Sequence, residues 1–279
     1  MKKEKNNFIP LLRAEEVAQQ TREIPDTPQT RSLAYCLAYM DQEFMMRSEL
    51  RSQRIGLEFL KPEIALQECG IKSTVVLFGG ARIPEPGQTA WASKNEMQEN
   101  NLRIMSRYYD EAREFARLCS CYSATTEYSE FVVITGGGPG IMEAGNRGAT
   151  DVGAPTIGLN VVLPHEQVPN IYVTPNLCFN FSYLGIRKMH FLMRAKALAI
   201  FPGGFGTLDE LFEVLTLMQT ERIKRVPILM FGEQFWKNVI NFEYLAEQGT
   251  ISPLDTTLMT FVHTAAEAFE VIRSFYELV

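Results

Sequence analysis

Five short apolar runs decide what this chain can become: TVVLF (74–78), FVVIT (131–135), PTIGLNV (155–161), ALAIF (197–201) and PILMF (227–231). Each is continuous rather than alternating, the pattern of a strand buried on both faces. Segments with helical spacing separate them at 96–120, 140–152, 181–195 and 207–221, and another follows at 235–248. Strands alternating with helices predict an α/β fold, a doubly wound and mostly parallel sheet with helices on both faces. Near the end, Thr264 stands three residues before Glu267, a capping-box start for a last helix.

The first seventy residues have a different texture. Residues 1–30 are polar, contain Pro25 and Pro28, and read as a loosely held arm. From 30 to 70, Leu33, Leu37, Met40, Phe44, Ile55 and Phe59 recur at helical spacing, and Pro62 is expected to break or restart the helix. The expected division is an N-terminal arm and helical extension over 1–70, followed by the α/β domain over 71–279. Packing on the main domain and contact with another copy are both open roles for the extension.

The chain has 279 residues, 46% of them hydrophobic, which is ample for a substantial core. A net charge of −6 without any basic run argues against an extended nucleic-acid surface, yet leaves room for a small anion held locally. The cysteines, Cys36, Cys69, Cys119, Cys121 and Cys178, are scattered and lack zinc-site spacing, as expected of reduced thiols in a cytosolic protein. The N-terminal stretch lacks the apolar run of a signal peptide, and no segment has the length of apolar sequence that spans a bilayer. A soluble, cytoplasmic protein is the expectation.

In doubly wound sheets, ligands sit beyond the carboxyl ends of the strands. The glycines fall there: VLF runs into GGAR (79–82), VIT into GGGPG (136–140) and AIF into PGGFGT (202–207). The second turn is not a nicotinamide fingerprint. From Gly138 and Gly140 the third glycine position falls on Glu143, and from Gly136 and Gly138 on Ile141. No Gly-Lys-Ser/Thr follows, so it is not a P-loop either. What remains is a strand passing through glycines into a helix with free amides, a seat for a phosphate or carboxylate.

The third turn repeats that physics: Gly203, Gly204 and Gly206 permit close approach and unusual dihedrals, and Thr207 adds a hydroxyl. Asp209 and Glu210 follow at once. Acids in a first helical turn serve as dipole partners, but two beside a phosphate seat repel the ligand unless one works on it. The preceding helix brings Arg187, Lys188, His190 and Arg194, with Arg187, His190 and Arg194 near one face. His190 lies among Met189, Phe191 and Leu192 and reads as a packing residue rather than a base.

Arg187-Lys188 followed by PGGFGTLDE (202–210) resembles the signature of the LOG (LONELY GUY) family, phosphoribohydrolases long mislabelled as lysine decarboxylases. The family pattern P-G-G-x-G-T-x-x-E falls on Pro202 to Glu210 without a mismatch, and the similarity runs from about Thr74 to the C-terminus. GLNVVLP, RKMHFLMRAKAL and the helical AYMDQEFMMRSELRSQRIGLEFLKPE look like the longer bacterial members. The resemblance implies a modified Rossmann fold, with 71–279 as a nucleotide-binding catalytic domain that needs neither cofactor nor metal. The implied substrate is a nucleoside 5′-monophosphate, either AMP-like or a cytokinin riboside monophosphate, cleaved at its N-glycosidic bond to free base and ribose 5-phosphate.

By the same resemblance Arg187 and Glu210 are the catalytic pair. Gly203, Gly204, Phe205, Gly206 and Thr207 hold the 5′-phosphate with Lys188 nearby. Gly79, Gly80 and Arg82 of the first turn, with Gly137, Gly138, Met142 and Glu143 of the second, line the nucleotide pocket. Gly80 departs from the family pattern, since many relatives carry serine there. Members assemble as dimers or larger homo-oligomers, so the same is expected here. Two other functions stay open: a nucleotide-binding or sensing module that leaves the glycosidic bond intact, and a pyridoxal-phosphate decarboxylase, for which the chain is short.

Overall fold

The computed structural model describes residues 11–164 and 168–278. The chain forms two compact units, 1–57 and 58–279. Residues 1–10 of the expected arm lie outside the described residues. The first unit holds α1 (Ala14–Gln20), α2 (Gln42–Met45) and the start of α3 (Arg51–Glu68), which ends in the second unit. Asp41 caps α2 by accepting from the Phe44 amide at 2.9 Å. Helical spacing over 30–70 yields a continuous helix only from Arg51. Upstream, Leu33 and Met40 stay exposed, and a short helix with no buried face has little to hold it. Pro62 does not break α3: it is buried inside the helix, which gives up one backbone hydrogen bond there.

The second unit is the α/β domain. In order it contains β1 (Thr74–Phe78), α4 (Glu96–Met105), α5 (Arg107–Ala124), β2 (Val132–Thr135), α6 (Ile141–Thr150), β3 (Thr156–Val161) and β4 (Cys178–Phe181). Then come α7 (Leu184–Met193), β5 (Ala195–Ile200), α8 (Phe205–Gln219), β6 (Ile228–Phe231), α9 (Glu233–Val239), α10 (Phe242–Glu247), β7 (Thr260–Val262) and α11 (Ala265–Tyr276). The strands form one sheet in the order β4-β3-β2-β1-β5-β6-β7, parallel throughout.

Alternate residues of β1 face opposite layers. Val75 and Leu77 join the core beneath α5, α6 and α11, while Val76 and Phe78 join the one beneath α7, α8 and α9. Two strands have no counterpart among the apolar runs. β4 and β7 are the sheet's edges, where short strands need no continuous apolar sequence. The segment 96–120, expected as one helix, is two, separated at Ser106, whose hydroxyl donates to the Arg103 carbonyl at 2.7 Å. Thr264 caps α11 by accepting from the Glu267 amide at 3.2 Å, but Glu267 returns to the His263 amide rather than to Thr264. No helix among the described residues is long and apolar enough to cross a membrane.

The strand order reverses between β1 and β5, so their carboxyl ends open a crevice between connections that leave in opposite directions. Two of the glycine turns emerge into it, and the third lies one strand away.

Candidate active site

The three glycine turns are laced together through Gly80. Its amide donates to the Pro202 carbonyl at 2.9 Å, and its carbonyl accepts from the Ile141 amide at 3.3 Å. Glycine is required for this approach at Gly140, where φ is +69° and a Cβ would stand 2.5 Å from the Gly80 carbonyl oxygen.

Gly204 and Gly206 differ. Neither has a positive φ, contrary to the unusual dihedrals expected of this turn, and a Cβ at either would meet nothing within 4 Å. Nothing in the protein itself demands glycine at these two positions. They leave open the approach to the first turn of α8, whose cap residue Gly204 supplies no side chain to the Phe205, Gly206 and Thr207 amides.

The turns surround a cavity of about 640 Å³. From the expected set, Gly79, Gly80, Arg82, Met142, Arg187, the run from Gly203 to Thr207, and Glu210 line it. Gly137, Gly138, Glu143 and Lys188 do not. The backbone of the two glycines is used within the protein: Asn170 donates its amide to the Gly137 carbonyl at 2.8 Å and its side chain to the Gly138 carbonyl at 3.0 Å. Glu143 points elsewhere and accepts from the Tyr109 hydroxyl at 2.8 Å. Lys188 binds Asp209 at 2.6 Å and Glu213 at 3.3 Å. The two adjacent acids of α8 therefore part company: Asp209 is neutralised outside the cavity, and Glu210 is left within it.

Residues that no motif marked complete the walls. Leu102 and Met105, three apart on α4, and Phe235 on α9 form an apolar side. Gly136 lies behind the cavity, where a Cβ would stand 2.5 Å from Arg187 Nη2 and 2.6 Å from Met142 Sδ. Its role was legible only as part of a glycine run. The α4 contribution carried no sequence signal, because which helix of a crossover covers the crevice is a matter of packing.

Arg187 and Glu210 face each other with 3.5 Å between Nη1 and Oε1, their side chains 11% and 13% exposed. Arg187 is aimed by its Nε, which donates to the Leu159 carbonyl at 2.7 Å, and its guanidinium lies 5.0 Å from the centre of the Phe191 ring. Burial pushes the Glu210 carboxyl up to about 7, against the opposing charge of Arg187. Such a group exchanges a proton readily near neutral pH. Among the described residues no cluster of three or more histidines, cysteines and acids is arranged to hold a metal ion, and no lysine lines the cavity.

Comparison with known proteins agrees with the motif. Residues 142–272 match a family model described as "Possible lysine decarboxylase". The probable cytokinin riboside 5′-monophosphate phosphoribohydrolase LOGL3 of Oryza sativa subsp. japonica is 26% identical over 153 residues, covering 52% of this chain and 68% of that protein. The cytokinin riboside 5′-monophosphate phosphoribohydrolase LOG7 of Arabidopsis thaliana is 32% identical over 93 residues, 33% of this chain and 41% of that one. Among solved structures, the molybdenum cofactor binding protein of Rippkaea orientalis superposes with a TM-score of 0.47 at 17% identity, covering 74% of this chain and 98% of its own. The Moco carrier protein of Chlamydomonas reinhardtii gives a TM-score of 0.46 at 16% identity, covering 75% and 99%.

Proposed function

We propose, from its signature turn and its similarity to LOG phosphoribohydrolases, that this chain hydrolyses the N-glycosidic bond of a nucleoside 5′-monophosphate. The observation that carries the proposal is a buried, oppositely charged pair, Arg187 and Glu210, in the same cavity as the uncapped first turn of α8.

The chemistry follows from that arrangement. The 5′-phosphate sits on the Phe205, Gly206 and Thr207 amides, where the helix dipole favours an anion and Gly204 and Gly206 keep the approach clear. Anchoring the phosphate, remote from the bond that breaks, positions the sugar. The bond from C1′ to the base nitrogen lengthens first and leaves an oxocarbenium-like sugar. The ionised Glu210 stabilises that cation and takes a proton from the water that adds to C1′. The base nitrogen gains a proton from solvent, so the products are free base and ribose 5-phosphate. Arg187, always charged and a poor acid, favours the ionised form of Glu210 against the burial that opposes it. The apolar side made by Leu102, Met105 and Phe235 suits the flat face of a base.

The family description as a lysine decarboxylase fits the site poorly. Pyridoxal phosphate needs a lysine for its Schiff base, and Lys188 is turned away into Asp209 and Glu213.

The test is incubation of pure protein with AMP and, separately, isopentenyladenosine monophosphate, following free base by chromatography beside Glu210→Gln. Release from either nucleotide, lost in the variant, is the expected result. Binding of both with no release would overturn the proposal in favour of a nucleotide-sensing module. A homo-oligomer, as the family resemblance implies, is checked by light scattering on the same sample.

A further inference from the structure

The helix that carries Arg187 is held from outside. α7 has ten residues, and its N-cap residue, Tyr183, contributes no side-chain cap. The substitute comes from α3, 125 residues away in the chain. The Glu58 carboxylate accepts from the Ser182 amide at 3.1 and 3.2 Å, from the Tyr183 amide at 3.1 Å, and from the Ser182 hydroxyl. At the other end of α7, its C-cap residue Arg194 donates two 2.7 Å hydrogen bonds to Glu63, in a pair only 11% and 17% exposed. Between these anchors the buried ring of His190 lies 5.3 Å from that of Phe59 and 5.6 Å from that of Phe181. Residues 58–68 thus grip α7 at its start, middle and end, and Arg187 sits one turn before His190.

The grip bears on the reacting pair because Arg187 and Glu210 come from different helices. Their separation of 3.5 Å is set by where α7 lies against α8. We propose that Glu58, assisted by Glu63, is a positioning residue: by capping and clamping α7 it holds the Arg187 guanidinium within reach of the Glu210 carboxylate. This rests on the phosphoribohydrolase proposal insofar as that pair is taken to act on substrate. Neither glutamate lines the cavity, and neither touches the nucleotide in the proposed complex. The extension's last turns therefore contribute to turnover without contributing a catalytic group.

The variant is Glu58→Ala, with Glu58→Gln beside it, which keeps a carbonyl acceptor for the Ser182 and Tyr183 amides. Four quantities are read on the full chain: kcat and KM for base release, the melting temperature, and the ionisation midpoint of Glu210. The midpoint is followed by NMR of protein 13C-labelled at glutamate side-chain carboxyls, with the resonance assigned by its loss in Glu210→Gln. The charges facing Glu210 are those of Arg187, Asp209, Lys188 and Glu213.

Withdrawal of Arg187 removes the main group that favours ionisation, so Glu58→Ala moves the Glu210 midpoint upward. It lowers kcat by about tenfold or more while KM stays within about twofold, since α8 holds the phosphate. Glu58→Gln recovers most of both. An unchanged midpoint in folded Glu58→Ala, or in Glu63→Gln if the alanine variant does not fold, would overturn the proposal and leave the two glutamates stabilising anchors only. Failure of the wild type to release base would instead overturn the functional proposal, and the NMR midpoint would then decide the positioning role by itself.

Discussion

Glu210→Gln should stabilise this protein at pH 8 and leave its stability nearly unchanged at pH 4.5. In the folded chain burial raises the Glu210 carboxyl from 4.5 to about 7. A raised acid favours folding while it is protonated. That contribution is fully present below about 4.5, the unfolded value, and is lost as pH rises through about 7. Above that, the wild type holds an ionised carboxylate where the fold prefers a neutral one. At 1.36 kcal/mol per unit the difference amounts to about 3 kcal/mol. Little solvent screening reduces it, because the side chain is 13% exposed. Glutamine imitates the protonated acid, so the variant escapes this cost at every pH. For a domain of this size about 3 kcal/mol corresponds to a rise on the order of 5–10 °C in melting temperature. The assay is urea and thermal unfolding of both proteins at pH 4.5, 6 and 8. A variant that is equally shifted at all three values, or less stable than wild type at pH 8, would refute the reasoning and make Arg187 a sufficient partner for the charge.

Wild-type base release should rise with pH through about 7 and level off above, because Glu210 acts as its carboxylate in the proposed mechanism; a flat rate from pH 5 to 8 would remove that ionisation from the mechanism. Gly136→Ala places a methyl against Arg187 Nη2 and Met142 Sδ. Both neighbours are flexible, so the protein folds with a loss of about 1–2 kcal/mol, while kcat falls by about tenfold or more as Arg187 is displaced. An unchanged kcat, with the urea midpoint measured alongside, would show that the position of Arg187 does not matter. Gly206→Ala meets no protein atom within 4 Å and sits in a helical first turn. Its stability should hold or rise, by up to about 1 kcal/mol, while nucleotide affinity by calorimetry drops by about tenfold or more. Unimpaired affinity would mean that the open space at Gly206 is not where the ligand lies.

Much of the framework is legible in the sequence alone. The continuous apolar runs located the five central strands because a strand covered on both faces has no polar positions to interrupt it. The edge strands β4 and β7 were missed for the converse reason: CFNF and TFV bury only part of their surface and carry no such run. At the site, the turn from Pro202 to Glu210 and the arginine fifteen residues before it were marked by residue type and spacing. So was the pair Asp209 and Glu210, since two carboxylates beside an anion seat demand an explanation.

Residue type did not say which carboxylate was free. Lys188 settles that by binding Asp209 and Glu213, a contact across two helices that no spacing along one of them encodes. The same limit hid Leu102, Met105 and Phe235, and above all Glu58, whose partners lie 124 and 125 positions away. Sequence determined the local demands of this protein: periodicity, turn chemistry, and the presence of one arginine and one glutamate in the right motif. Tertiary structure alone decided which groups meet, how dry their surroundings are, and therefore where Glu210 holds its proton, because burial and distance arise only when segments far apart in the chain are packed against one another.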